Sequence, residues 1–316
     1  MTNPTLRFSG RVKNYVKYRP GYPTGVIDTF AKECGLTPNS AVADIGSGTG
    51  ILSELFLKNG NRVFGIEPNC EMREAGEQLL GKYPGFTSVN GTAEATALTD
   101  CSVDFVTAGQ AFHWFDREAA RKEFGRILKP NGWVALIWNE RLTETSPFLR
   151  AYEDLLQQYG TDYVAVDHRN VDTDAITAFF APQPFTLRKF ENRQIFDADG
   201  LKGRLLSSSY TPEPGHPNHR PMLDALRKLF DKHQIDGKVS FDYATLLYLA
   251  GYSVSLKRDG LEAILSGPLG KATPPCTIPS NTAIRSSASL ACFVPGIFSH
   301  NCFITSSARA GSCKVC

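Results

Sequence analysis

Apolar residues along the first 250 positions keep two alternating rhythms. Residues 41–46 (AVADIG) form a short unbroken apolar run that ends in glycines, and Ile51, Leu52, Leu55 and Phe56 follow it at helical spacing up to Gly60. That pattern predicts strand, tight turn and helix. Residues 62–67 (RVFGIE) predict a second strand, after which Pro68 and Asn69 open a helix carrying Met72, Ala75, Leu79 and Leu80. Further strands are expected at 86–89, 103–108 and 133–138, with helices at 94–98, a single short turn, and at 116–128. Apolar strands alternating with helices imply a doubly wound α/β fold, a mostly parallel sheet with both faces covered.

Beyond Pro147 the rhythm changes. Residues 148–159, 201–206 and 222–233 have helical spacing, the remainder of 160–184 is loose, and 185–196 and 239–250 look extended. The two late strands are far apart in sequence, and an antiparallel pair at one sheet edge accommodates them. Past Gly251 the chain is rich in Ser, Thr and Pro and carries no acid after Glu262. This composition predicts a disordered or poorly packed extension. The expected organisation is an N-terminal lid segment at 1–30, a catalytic domain at 31–250 and a tail at 251–316.

Composition narrows the partners. With 42% hydrophobic and 21% charged residues among 316, the chain is globular in type, and its formal charge of +2 is too balanced for binding driven by a long run of phosphates. Nucleic acid is therefore not the expected partner. The polar start, broken by Pro4, lacks the roughly 7–15 apolar residues of a secretory signal, and no run reaches the ~18 needed to span a bilayer. A cytoplasmic protein without a membrane partner is expected. Oligomeric state is not legible.

The chemistry concentrates in Asp44-Ile-Gly46-Ser47-Gly48-Thr49-Gly50, at the junction of the first strand and first helix. Glycines there let backbone approach a ligand, and helix N-terminal amides point toward it. A dinucleotide fingerprint would need its third glycine at Ile51, but the glycine stands at Gly50. A carboxylate beside the bend suits a cationic or amine-bearing ligand better than a pyrophosphate. S-adenosylmethionine meets that description, with a sulfonium, an ammonium and no phosphate. Glu67 ends the second strand, where an acid can accept both ribose hydroxyls. A nicotinamide oxidoreductase and an inactive cofactor-binding module stay open as alternatives.

With these residues in hand, the chain resembles the class I S-adenosylmethionine-dependent methyltransferases, specifically their small-molecule, methyltransferase-11-like branch. The resemblance covers about residues 8–250. Beyond the glycine bend, Glu67 and Pro68, it rests on Gly91-Thr92-Ala93-Glu94, on 110–114 (QAFHW), on 128–132 (LKPNG) and on 15–23 (YVKYRPGYP). It implies a seven-stranded sheet with a reversed last strand, adenine recognition at Ala93 and Glu94, Met72 packed on adenine or ribose, and Gln110 and Ala111 beside the methionine moiety.

On the acceptor side, methyl transfer is an in-line displacement, so the enzyme mainly positions a nucleophile and strips its water. His113 follows the fourth strand, and an imidazole there is either a general base or a structural histidine beside Trp114. Phe112, Trp114 and Phe115 serve as core or pocket wall. Tyr15, Tyr18, Arg19 and Tyr22 form either a lid or a packed N-terminal segment, with Arg19 placed to meet a cofactor or substrate carboxylate. The segment 108–111 (AGQA) lacks the Asn/Asp-Pro-Pro-aromatic pattern of nucleic-acid amine methylation, and no Asp ends the fourth strand to hold Mg²⁺. His216 and His219 lie in a Pro-rich stretch and are expected to be solvated rather than metal-bound. Cys34, Cys70 and Cys101 are expected to be buried or semi-buried thiols, and Cys313-Lys-Val-Cys316 neither a redox motif nor a lipidation box.

Overall fold

A computed structural model describes residues 11–163 and 173–252. The expectations for the tail, from residue 253 on, and for residues 1–10 lie outside the described residues. Each predicted strand is present: β1 (Ala41–Ile45), β2 (Arg62–Ile66), β3 (Phe86–Val89), β4 (Val103–Gly109), β5 (Leu128–Arg141), β6 (Thr186–Phe196) and β7 (Val239–Tyr252). They form one seven-stranded sheet in the order β3-β2-β1-β4-β5-β7-β6. The first five run parallel, and β7 enters antiparallel to β5 and carries β6 antiparallel on its outer edge. β1 therefore has β2 on one side and β4 on the other. Chain order reverses there, opening a crevice beyond the carboxyl ends of the two strands.

The helices are α1 (Val12–Tyr18), α2 (Gly25–Cys34), α3 (Ile51–Lys58), α4 (Cys70–Leu80), α5 (Arg117–Ile127), α6 (Pro147–Tyr159), α7 (Thr173–Phe180), α8 (Ala198–Leu206) and α9 (His219–His233). α2 and α3 cover one face through Val26, Phe30, Phe56 and Leu52, packed on Val42, Phe105 and Leu247. α5 and α7 cover the other through Phe124, Ile127 and Phe179, packed on Val106 and Leu136. A third cluster joins α6, α8 and α9 to the start of β7 through Tyr152, Leu201, Leu226 and Phe241. It builds a wall over the carboxyl end of the sheet.

Several local expectations change. Residues 94–98 are not helical: Thr96 donates both its amide and its hydroxyl to Glu123 of α5, at 2.8 and 2.5 Å, so a side chain replaces the helical carbonyls. α7, at eight residues too short for a clear period, buries Ile176, Phe179 and Phe180 where sequence suggested only loose chain. α2 runs across the division placed at residue 30 and belongs to the core. β5 begins at Leu128, five residues early, and its register against β4 shifts between Val103 and Phe105 where Asn131 takes a left-handed φ of 63°. Cys101 is exposed, not semi-buried, because it too sits at positive φ in the turn before β4.

Phe30 is fully buried, edge-to-face with Phe56 at 5.2 Å and Phe105 at 5.6 Å. Phe30→Ala should cost about 3–5 kcal/mol in urea unfolding, the range for emptying a buried aromatic site; a loss under 1 kcal/mol would contradict this packing.

Candidate functional site

A cavity of about 320 Å³ opens at the crevice between β1 and β4, and a recess of about 40 Å³ shares its walls Gly46, Gly109 and Gln110. The size is that of a small-molecule site, for which about 300–1,000 Å³ is usual. Local sequence explains its floor. β1 is buried along its whole length, and the chain leaves it at Gly46, whose φ is 67° and whose missing Cβ would stand 2.6 Å from that of Ala111. Only glycine lets this bend sit against the 110–114 segment. The amides of Gly46 and Ser47 both donate to the Ile66 carbonyl, which ties the bend to β2.

Three acids border this end. Glu67, 8% exposed, accepts from the Gly48 amide at 2.9 Å and the Asn69 amide at 2.8 Å, so one carboxylate links the first two strand-to-helix junctions. Burial pushes its pKa above the usual carboxylate range, against the opposing pull of those amides and of Arg73. Asp44 is 1% exposed and lines the recess. It accepts from Ser53 Oγ at 2.6 Å and, more distantly, from Thr107 Oγ1 at 3.4 Å, and no cation pairs with it among the described residues. Burial outweighs these hydroxyls and pushes its pKa up to about 7. Glu94 accepts from the Asp116 amide at 2.9 Å.

Gln110 holds a left-handed φ of 58°, a strained conformation for a non-glycine residue. Its amide bonds the Ile137 carbonyl, its Nε2 donates to the Asn139 carbonyl at 3.2 Å, and its buried Oε1 has no partner among the described residues. His113 and Trp114, on the 3₁₀ turn Phe112–Trp114, line the cavity with ring centroids 4.5 Å apart. Phe112 is core, edge-to-face with Trp138 and Phe179, whereas Phe115 reaches the cavity wall.

The N-terminal segment closes one side with Tyr15, Arg19 and Pro20. Polar bonds pin it down: Gly21 O accepts from Asn139 and Asn192, Tyr18 O from Gln194, and Arg19 donates to Ser207 O. Tyr22 sits in the recess, its hydroxyl against Gly109, and burial raises its pKa well above the ordinary phenol value.

Of the residues singled out from sequence, Gly48, Pro68, Met72, Ala93 and Ala111 also line the main cavity, and Ser47 the recess. Two do not reach either. Gly50 instead caps α3 at φ 86°, where a Cβ would strike Leu80, and the Tyr18 ring packs on Gly203 of α8. Sequence reasoning missed Asn139, Arg141, Tyr163, Arg204, Tyr210 and Tyr243, which complete the far wall. Signals existed for two: Arg141 follows a strand on its ligand-binding end, and Arg204 interrupts an apolar helix face.

Comparisons with known proteins follow the same lines. A methyltransferase-domain family model matches residues 43–136. The uncharacterized methyltransferase Rv3342 of Mycobacterium tuberculosis is 30% identical over 234 residues, 72% of this chain and 87% of that protein. The methyltransferase-like protein C25B8.10 of Schizosaccharomyces pombe is 34% identical over 156 residues, 49% of this chain and 59% of that relative. Among solved structures, a protein assigned as a type II methyltransferase from Anaeromyxobacter dehalogenans shares the fold with a TM-score of 0.54 at 22% identity, over 74% of this chain and 97% of that one.

The raised pKa of Asp44 has a thermodynamic sign. The folded state prefers the protonated carboxyl, so the stability associated with it is present below about pH 4 and lost as pH rises through about 7. Asp44→Asn should therefore raise the unfolding temperature at pH 8, with the gain over wild type shrinking toward pH 4. A lower unfolding temperature for the variant at pH 8 would show that Asp44 is not carrying an uncompensated charge.

Proposed function

Because the chain belongs to the class I S-adenosylmethionine-dependent methyltransferases of the methyltransferase-11 type, we propose that it binds S-adenosylmethionine at the acid-lined end of the cavity and methylates a small-molecule acceptor held at the other end. The observation that carries this reading is the pairing of an unbalanced buried carboxyl, Asp44, with an unpartnered buried acceptor, Gln110 Oε1, beside a glycine bend no side chain could occupy. A ligand rich in cationic and donor groups satisfies both acceptors, and a pyrophosphate satisfies neither.

The residues present fit that cofactor. Glu67, already oriented by two amides, would take the ribose hydroxyls. Met72, Pro68 and Ala93 offer an apolar slot for adenine, with Glu94 at its edge. Asp44 and Gln110 would hold the ammonium, and Arg19, which borders both recess and cavity, the methionine carboxylate. When bound, the cofactor supplies an electrophilic methyl on sulfur. The chain's own contribution is positional: the N-terminal segment, Trp114 and Phe115 keep water from the cavity, and fixed polar groups orient the acceptor. His113 lines the same wall, within the cavity where an acceptor hydroxyl or amine would have to lose its proton.

Calorimetry with S-adenosylhomocysteine on the full chain tests this. Uptake should strengthen with pH up to about 7 and level off above, because the bound ammonium favours ionised Asp44 over the protonated form of the free protein. Asp44→Asn should bind about 10–100-fold more weakly and lose that dependence, and Glu67→Gln should weaken binding to a similar degree. Absence of uptake by folded wild-type protein would refute the assignment.

A further inference from the structure

The far wall of the cavity holds a second charge imbalance, opposite in sign to the first. Arg204, on α8, is 5% exposed, yet no carboxylate pairs with it among the described residues. Its partners are neutral: Tyr243 OH at 3.2 Å and Ser208 Oγ at 3.1 Å. Arg141, at the end of β5, has a side chain 9% exposed, lying over the Tyr152 ring. One edge of it meets Glu153 and the Tyr163 hydroxyl, while its buried Nε has no partner among the described residues. Among the described residues, this buried wall thus sets two guanidiniums against one carboxylate, and that one is bound to Arg141.

Arg11 shows a charge-balanced arginine in this fold, although its Nε, like that of Arg141, has no partner among the described residues. Also nearly buried, it is held by the carbonyls of Leu206, Ser208 and Thr211 and paired with Glu213. A buried ion left without a counter-charge costs several kcal/mol, and folded chains rarely keep one for structure alone. Tyr210, which lines the cavity beside these groups, reports their field: burial pushes its phenol up, but Arg141, Arg204 and Arg19, with Ser208, outweigh burial and leave it below its ordinary value.

Building on the cofactor assignment above, we infer that the methyl acceptor is a small carboxylic acid, anchored by its carboxylate on Arg204 and the free edge of Arg141. The planar carboxylate matches the guanidinium fork, and Tyr210 and Tyr243 line the same wall. An acid supplies the missing negative charge, and a neutral acceptor would leave it missing. The two ends of the cavity then select by charge: acids toward a cationic nucleoside, arginines toward an anionic partner. The anchor orients the acceptor and keeps the two ligands from exchanging places.

Two measurements on the full chain test the inference. The first is calorimetry on wild-type protein saturated with S-adenosylhomocysteine, titrated with benzoate and glutarate and with their uncharged counterparts benzamide and glutaramide. At least one acid should bind ten-fold or more tightly than its amide. Uptake of S-adenosylhomocysteine without any preference for acid over amide would overturn the carboxylate anchor while leaving the methyltransferase reading intact; no uptake of S-adenosylhomocysteine would remove the reading on which it rests. The second is Arg204→Gln, which should weaken acid binding about 10–100-fold while leaving S-adenosylhomocysteine uptake unchanged. Undiminished acid binding would make Arg204 a structural residue and overturn the proposal.

Discussion

Burying a charge without its counter-charge is among the largest penalties a folded chain can carry, and this protein does so twice in one cavity with opposite signs. Among the described residues, Asp44 is met by the Ser53 amide and the Ser53 and Thr107 hydroxyls, and Arg204 by a phenol, a hydroxyl and the Phe241 ring, with no opposite charge on either. Neither position adds to the stability of the sheet or its cover. Each is tolerated because the surrounding elements are packed well enough to hold it. The site is therefore an electrostatic gradient fixed by the backbone, running from β1 and β2 at the acidic end to β5 and α8 at the basic one.

What holds the acidic end in shape is economical. One carboxylate, Glu67, accepts from Gly48 and Asn69, and Asn69 in turn caps α4 by accepting from the Met72 amide at 2.8 Å. The glycine bend, the tip of β2 and the start of α4 are thereby linked in series. Met72 owes its place on the cavity wall to this chain of bonds, not to contact with the bend alone.

Much of this was legible in sequence because it is local. Residues 41–67 contain two strands, a helix, the bend and the site acids Asp44 and Glu67, and every spacing that matters falls within a single βαβ unit. The antiparallel pairing of β6 and β7 was also expected, from two extended runs far apart in sequence that fit together as an addition at one sheet edge. The basic wall was not legible. Arg141 and Arg204 are 63 positions apart and meet only because β5, β7 and the α6, α8 and α9 cluster fold over one another, a long-range packing that no periodicity encodes. Short elements failed for a different reason: α7 has too few turns to display a period, and within residues 94–98 the Thr96 amide and hydroxyl are claimed by Glu123, a partner 27 residues away.

The bonds that fasten the N-terminal segment have a consequence for the order in which the protein becomes functional. Arg11 and Arg19 grip carbonyls some 190 positions downstream, whereas the acidic end draws on residues 44–116. As a chain leaves the ribosome, the acidic end of the cavity can take form while the basic end still lacks its wall. Assembly is then stepwise, and the cavity has both its ends only when the last two strands have closed the sheet and the first helix finds its anchorage.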